Sequence, residues 1–200
     1  MRGCALTQPV ADMANTLYSL IAASFGPGAA DEWRQCKPAK DDCDKLAGAG
    51  VEVLKAFPGR AAGACALMSA VFSVVLENKV AQRGYVVAGS LYVGGTRVFG
   101  EDSALDGKAR FSQSELSWDG HAWLVFGNLL ADVSLFRTAD SGKGPPALSA
   151  HIHRVFGRGK GLMICRTDDT GDLRYVPEYV LTQDQVDALY RGARKLFVGN

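Results

Sequence analysis

Between Ala64 and Asn78 the chain reads ACALMSAVFSVVLEN, a segment of helical length that is apolar almost all the way round. Leu67, Met68, Val71, Phe72, Val74, Val75 and Leu76 leave only a thin polar stripe at Ser69, Ser73 and Glu77. A helix with so little polar surface must be covered on most of its circumference. It is therefore a buried helix, and the rest of the chain has to supply the layers around it. Val71, Phe72 and Val75 are expected to be almost fully buried, against strand residues such as Leu124 or Val133. Cys65 stands at the first turn, four residues before Ser69, so its thiol extends the polar stripe.

The neighbouring segments suit that role. Ala11 to Phe25 carries Met13, Leu17, Leu20 and Ile21 at the spacing of one helical face, and Gly26-Pro27-Gly28 ends it. Asp31 to Asp42 is polar and irregular, and a second helix fits Asp44 to Phe57, stopped by Pro58-Gly59. After Gly84 the patterning is that of strands: Tyr85 to Val93, His121 to Phe126, Leu129 to Arg137, Gly161 to Arg166 and Leu173 to Val180, with Gly, Asp and Pro between them. Gly100 to Ser117 has no clear pattern, and Ser141 to Pro146 reads as a loop. A last helix covers Thr182 to Phe197, with Thr182 and Gln185 forming a capping box. The expectation is one α+β domain over residues 1–200, helical over 1–60, with the Cys65 helix packed on an antiparallel sheet over 61–200.

Composition removes several function classes. A net charge of +1 gives no general attraction for nucleic acid or an anionic membrane. No apolar run approaches the roughly 20 residues of a membrane span. Polar residues Thr7, Gln8 and Asp12 interrupt what a signal peptide would need, so a cytoplasmic location is expected. Five cysteines, Cys4, Cys36, Cys43, Cys65 and Cys165, are an odd number with no C-x-x-C pair. No metal or other cofactor is expected.

The chemistry comes from a hairpin. Phe126 and Leu129 flank Gly127-Asn128, a two-residue turn with glycine at its first central position. That turn pairs Phe126 with Leu129 and, counting back, Trp123 with Asp132 and His121 with Ser134. His121 and Asp132 then share a sheet face as diagonal neighbours, their Cα atoms roughly 7–8 Å apart. A carboxylate on one imidazole nitrogen fixes the tautomer and leaves the other nitrogen to act on a nucleophile. Cys65 is placed for that part, because a helix N-terminus and a nearby histidinium both favour thiolate. The amides of that first turn are free to bind an oxyanion. Gly63 leaves the approach to the sulfur open, and Trp123, between the pair on the same face, is placed to contact substrate, shield the pair or pack the core.

The segments AGACALMSAVFSVVL (62–76), GYVVAGSL (84–91), WDGHAWLVF (118–126) and ADVS (131–134) resemble the core of transglutaminase-like proteins. The order Cys, His, Asp is also that of papain-like peptidases and arylamine N-acetyltransferases. The resemblance spans about residues 62 to 136 and implies a papain-like fold with Cys65 as nucleophile, His121 as base and Asp132 as orienter. It implies amide or acyl chemistry through a thioester, with peptidase or amidase hydrolysis favoured and transglutaminase or other acyl transfer as the alternative. The partner implied is a peptide or protein amide. The acidic residue that often follows His-Ala-Trp-Val is missing, and so is an upstream Gln to serve as second oxyanion donor.

Two other readings stand beside this one. The same fold can serve as a non-catalytic binding module, although all three residues of the set are present. His151 and His153 would share a face if they lay on a strand, and with His121 they would suggest a metal-dependent hydrolase. No acidic or thiol ligand has the spacing for it. Arg154, Arg158 and Lys160 among three glycines read as a solvated turn rather than a phosphate loop.

Overall fold

A computed structural model describes residues 10–57, 64–112 and 118–198. The elements follow in the order α1 (Val10–Phe25), α2 (Pro27–Gln35), α3 (Lys40–Ala56), α4 (Cys65–Glu77), β1 (Tyr85–Val93), β2 (Thr96–Phe99), α5 (Gly107–Arg110), β3 (His121–Phe126), β4 (Leu129–Asp132), α6 (Leu135–Asp140), α7 (Pro146–Val155), β5 (Met163–Arg166), β6 (Leu173–Val180) and α8 (Gln183–Val198). All strand pairs in the six-stranded sheet are antiparallel, so the fold is α+β. None of the described helices is long and apolar enough to cross a membrane.

The sheet is organised by β1. On one side it pairs with β6 from Val87 to Val93. On the other it pairs first with β3, from Tyr85 to Gly89, and then with β2, from Leu91 to Val93. β2 and β3 thus lie end to end in one row, with β4 and then β5 outside β3.

Helices cover both faces. Alternation along β3 sends Ala122, Leu124 and Phe126 into a core with Leu46, Val53, Phe72, Leu76 and Ala193, from α3, α4 and α8. Trp123 and Val125 enter a second core with Leu17, Ile21, Trp33, Leu135 and Ile152, from α1, α2, α6 and α7. A strand covered on both faces needs no polar alternation, which is why HAWLVF reads as one apolar run.

The polar stripe of α4 faces the sheet. Ser69 Oγ donates to the carbonyl of Ala122 at 3.1 Å and Ser73 Oγ to that of Gly84 at 3.0 Å. These bonds satisfy two hydroxyls that burial would otherwise penalise, and they lay α4 along β3 with its N-terminus beside His121. Phe72 and Val71 are buried as expected, whereas Val75 is only half-buried.

Three expectations need correction. The irregular segment 31–42 is largely helical: Pro27 opens α2 at its first position, where its missing N–H costs nothing, and α3 starts at Lys40. The strand expected over Leu129–Arg137 stops at Asp132, and α6 begins at Leu135. Asp132 Oδ1 accepts from the backbone N–H groups of Ser134 (3.0 Å) and Leu135 (2.9 Å), which bends the chain out of the sheet. The pairing of His121 with Ser134 is therefore not made. His151 and His153 lie on helix α7, so an i,i+2 spacing splays them rather than aligning them.

Candidate active site

The hairpin forms in the expected register, with Phe126 opposite Leu129 and the ladder running back to Leu124 opposite Ala131, one position short of Trp123 and Asp132. Gly127 has φ of +53°, and no described non-glycine residue has positive φ, so only the first turn residue is left-handed. That is the II′ pattern, whose twist matches a hairpin. A Cβ on Gly127 would also lie 2.8 Å from the carbonyl oxygen of Cys36, so glycine is required twice over.

Asp132 Oδ2 lies 2.6 Å from His121 Nε2. The imidazole is 1% exposed and the carboxylate 0%. Burial by itself would pull the His121 pKa down, but the Asp132 carboxylate outweighs it and holds the imidazole up, to about 10, with Cys65 adding to the rise. Burial would raise Asp132, and the charge and hydrogen bond of His121, with bonds from Tyr175 and Ser134, hold it below its usual range. With Nε2 engaged by the carboxylate, Nδ1 is the nitrogen left for the thiol.

His121 and Trp123 share the sheet face opposite α4, so the thiol and the imidazole approach from different sides. They meet beyond the start of β3, where Cys65 Sγ lies 4.0 Å from the carbonyl oxygen of Gly120. The sulfur lies near enough to His121 to help hold the imidazole's pKa up. Both groups open onto a cleft of about 590 Å³, with Phe99, Trp118, Lys143 and Pro145 among its walls.

Trp123, a candidate for substrate contact, is fully buried and lies outside that cleft. It packs on the pair instead, 6.3 Å from the His121 ring and 5.0 Å from that of Tyr175. Gly63 lies outside the described residues. His153 bonds Asp140 at 2.7 Å, and His151 lies 3.2 Å from the Arg154 guanidinium. Among the described residues no group of three His, Cys, Asp or Glu is placed to hold a metal.

Sequence reasoning missed three residues. Phe99 stacks on His121 at 5.1 Å and 15°, closing the ring off from above. Trp118 lies over Gly120, where a Cβ would come within 2.0 Å of the indole. Tyr175 donates its O–H to Asp132 Oδ2 at 2.9 Å while 2% exposed. A tyrosine in a buried strand wants a partner for its hydroxyl, which is the one signal that pointed to it. Tyr175→Phe is expected to cost about 1–3 kcal/mol in urea unfolding, the price of removing one donor from a buried carboxylate. The cost should shrink in an Asp132→Asn background; an unchanged cost would show that the hydroxyl does not act through Asp132.

No protein-family model, curated protein or solved structure matches the chain.

Proposed function

We propose that this protein is a cysteine-dependent amide hydrolase with a transglutaminase-like or papain-like arrangement, in which Cys65 is the nucleophile, His121 the base and Asp132 the orienter. The observation that carries the reading is an imidazole that lies 2.6 Å from a buried carboxylate and lines one cleft together with the Cys65 thiol. His121 Nδ1 holds the proton that the thiol gives up, and Asp132 stabilises that imidazolium up to about pH 10. The thiolate attacks the carbonyl carbon, forming a C–S bond, and the backbone amides of the first turn of α4 receive the oxyanion. When the C–N bond breaks, the imidazolium returns its proton to the departing amine. Water, deprotonated by the same nitrogen, then cleaves the thioester to an acid and regenerates the thiol. An amine in place of water would give acyl transfer by the same steps.

Limiting iodoacetamide tests the nucleophile directly. Cys65 is expected to be alkylated before Cys36, Cys43 and Cys165. Burial, and then Asp42, push the Cys36 thiol up, while burial followed by Asp132 and Asp169 pushes Cys165 to about 11. Peptide mapping by mass spectrometry reads the order. Modification of Cys36 or Cys165 ahead of Cys65 in the folded protein would remove the nucleophile assignment.

A further inference from the structure

We infer that the cleft carries a subsite for a carboxylate, built from Lys143, the hydroxyl of Thr138 and the N-terminus of α7, so that the amide attacked by Cys65 bears a negative charge; this rests on the thiol reading of Cys65. The three groups come together because the turn between α6 and α7 forms one wall of the cleft.

Ser141 fixes that turn. It is 8% exposed, and its Oγ donates to the Thr138 carbonyl at 2.8 Å. The same oxygen accepts from the backbone N–H groups of Lys143 at 3.0 Å and Gly144 at 3.1 Å. Gly144 is wedged against Thr138, since a Cβ there would lie 2.5 Å from the Thr138 carbonyl oxygen and 3.0 Å from its methyl carbon. Lys143 therefore leaves from a fixed backbone beside Thr138.

Each of the three groups lacks a partner. Among the described residues no ion pair engages the Lys143 ammonium. The other cation lining the cleft, Arg97, is already taken: its guanidinium donates to the Glu101 carbonyl at 2.9 Å and to the Asp102 carboxylate. Thr138 is 6% exposed and lines the cleft. The turn occupies its carbonyl and methyl, whereas its hydroxyl has no hydrogen-bond partner among the described residues. A buried hydroxyl ordinarily has one. The ten-residue α7 begins at Pro146 with Pro145 before it, and both prolines are cleft walls. Its first turn holds no acid and no side chain caps it, so the positive end of the helix dipole lies uncompensated at the cleft.

An ammonium, a hydroxyl and a helix N-terminus all favour an anion with acceptor oxygens. The acid among the lining residues, Asp119, belongs to the wall before β3 and would turn a carboxylate toward Lys143.

The test uses the full chain and two pairs of vinyl sulfones, each pairing a carboxylate with its neutral carboxamide. One pair carries the group before the vinyl carbons, as N-acetyl Glu or Gln; the other carries it on the sulfone, as carboxyphenyl or carbamoylphenyl. In each case the thiolate adds to the vinyl carbon and the adjacent carbon takes up a proton. In at least one pair the acid is expected to modify Cys65 about tenfold faster than the amide, and Lys143→Met to bring that ratio to about one. Lys143→Glu should invert it. Ratios within a variant cancel any change in the reactivity of the thiol itself. Ratios near one in both pairs of the wild type, with Cys65 labelled, would overturn the subsite and leave the thiol reading standing. A preference that survives Lys143→Met would mean that the His121 charge selects the anion, and would overturn the subsite as well. Failure of all four probes to label Cys65 would overturn both readings.

Discussion

Replacing Asp132 with asparagine is expected to slow acylation of Cys65 about 10⁴-fold while the hairpin and α6 stay in place. Asparagine keeps an oxygen for the backbone amides of Ser134 and Leu135, which Asp132 Oδ1 now accepts at 3.0 and 2.9 Å. Its NH₂ then faces His121 Nε2, where the carboxylate oxygen now lies at 2.6 Å. An imidazole that must accept at Nε2 carries its proton on Nδ1, and the thiol loses its base. Burst acylation by p-nitrophenyl acetate, followed by intact mass, measures the rate. An unchanged rate would mean that Asp132 only caps α6.

Unfolding across pH provides a second readout of the same variant. His121, held up to about 10, stabilises the fold fully below its ordinary 6.5 and loses that contribution as pH climbs toward 10. Asp132, held down, contributes above its ordinary 3.8 and loses the contribution as pH falls below it. The stability gap between wild type and Asp132→Asn should therefore be widest at about pH 4–6.5 and narrow on the alkaline side.

Cys65→Ser is expected to be more severe, on the order of 10⁶-fold, because a hydroxyl is far harder to ionise in the same place. Among the described residues the sulfur's polar contact with the backbone is the 4.0 Å approach to the Gly120 carbonyl, so the melting temperature should move little. Acylation at another cysteine with equal rate would transfer the chemistry elsewhere, and an undiminished rate at residue 65 would show that the thiol is not required.

Much of this was legible because it depends on local chemistry. A two-residue turn with glycine first sets a register, and that register brings Asp132 within reach of His121. The apolar circumference of α4 announced its burial, and the structure adds that its serines meet the carbonyls of Ala122 and Gly84. What escaped was set by distant partners or by competing local bonds. Tyr175 comes from β6, 43 residues beyond Asp132, and no spacing rule links them. The run Val133–Phe136 is apolar enough for a strand, and only the bonding of Asp132 to the amides after it turns the chain into α6. Trp123 shows the limit of face arguments: it does share the face of the pair, but α1, α2, α6 and α7 cover that face, so it lies buried and outside the cleft.

The sealing of His121 has a consequence for where a proton can travel. Phe99 stacks on the ring at 5.1 Å, Trp123 and Tyr175 lie at 6.3 and 6.2 Å, and the Asp132 carboxylate is itself closed off from solvent. Among the described residues the open side of the imidazole is the cleft it shares with Cys65, where an acyl group on the sulfur would stand. A proton taken from the thiol is then stored rather than exchanged with bulk water, and the departing amine is its nearest exit.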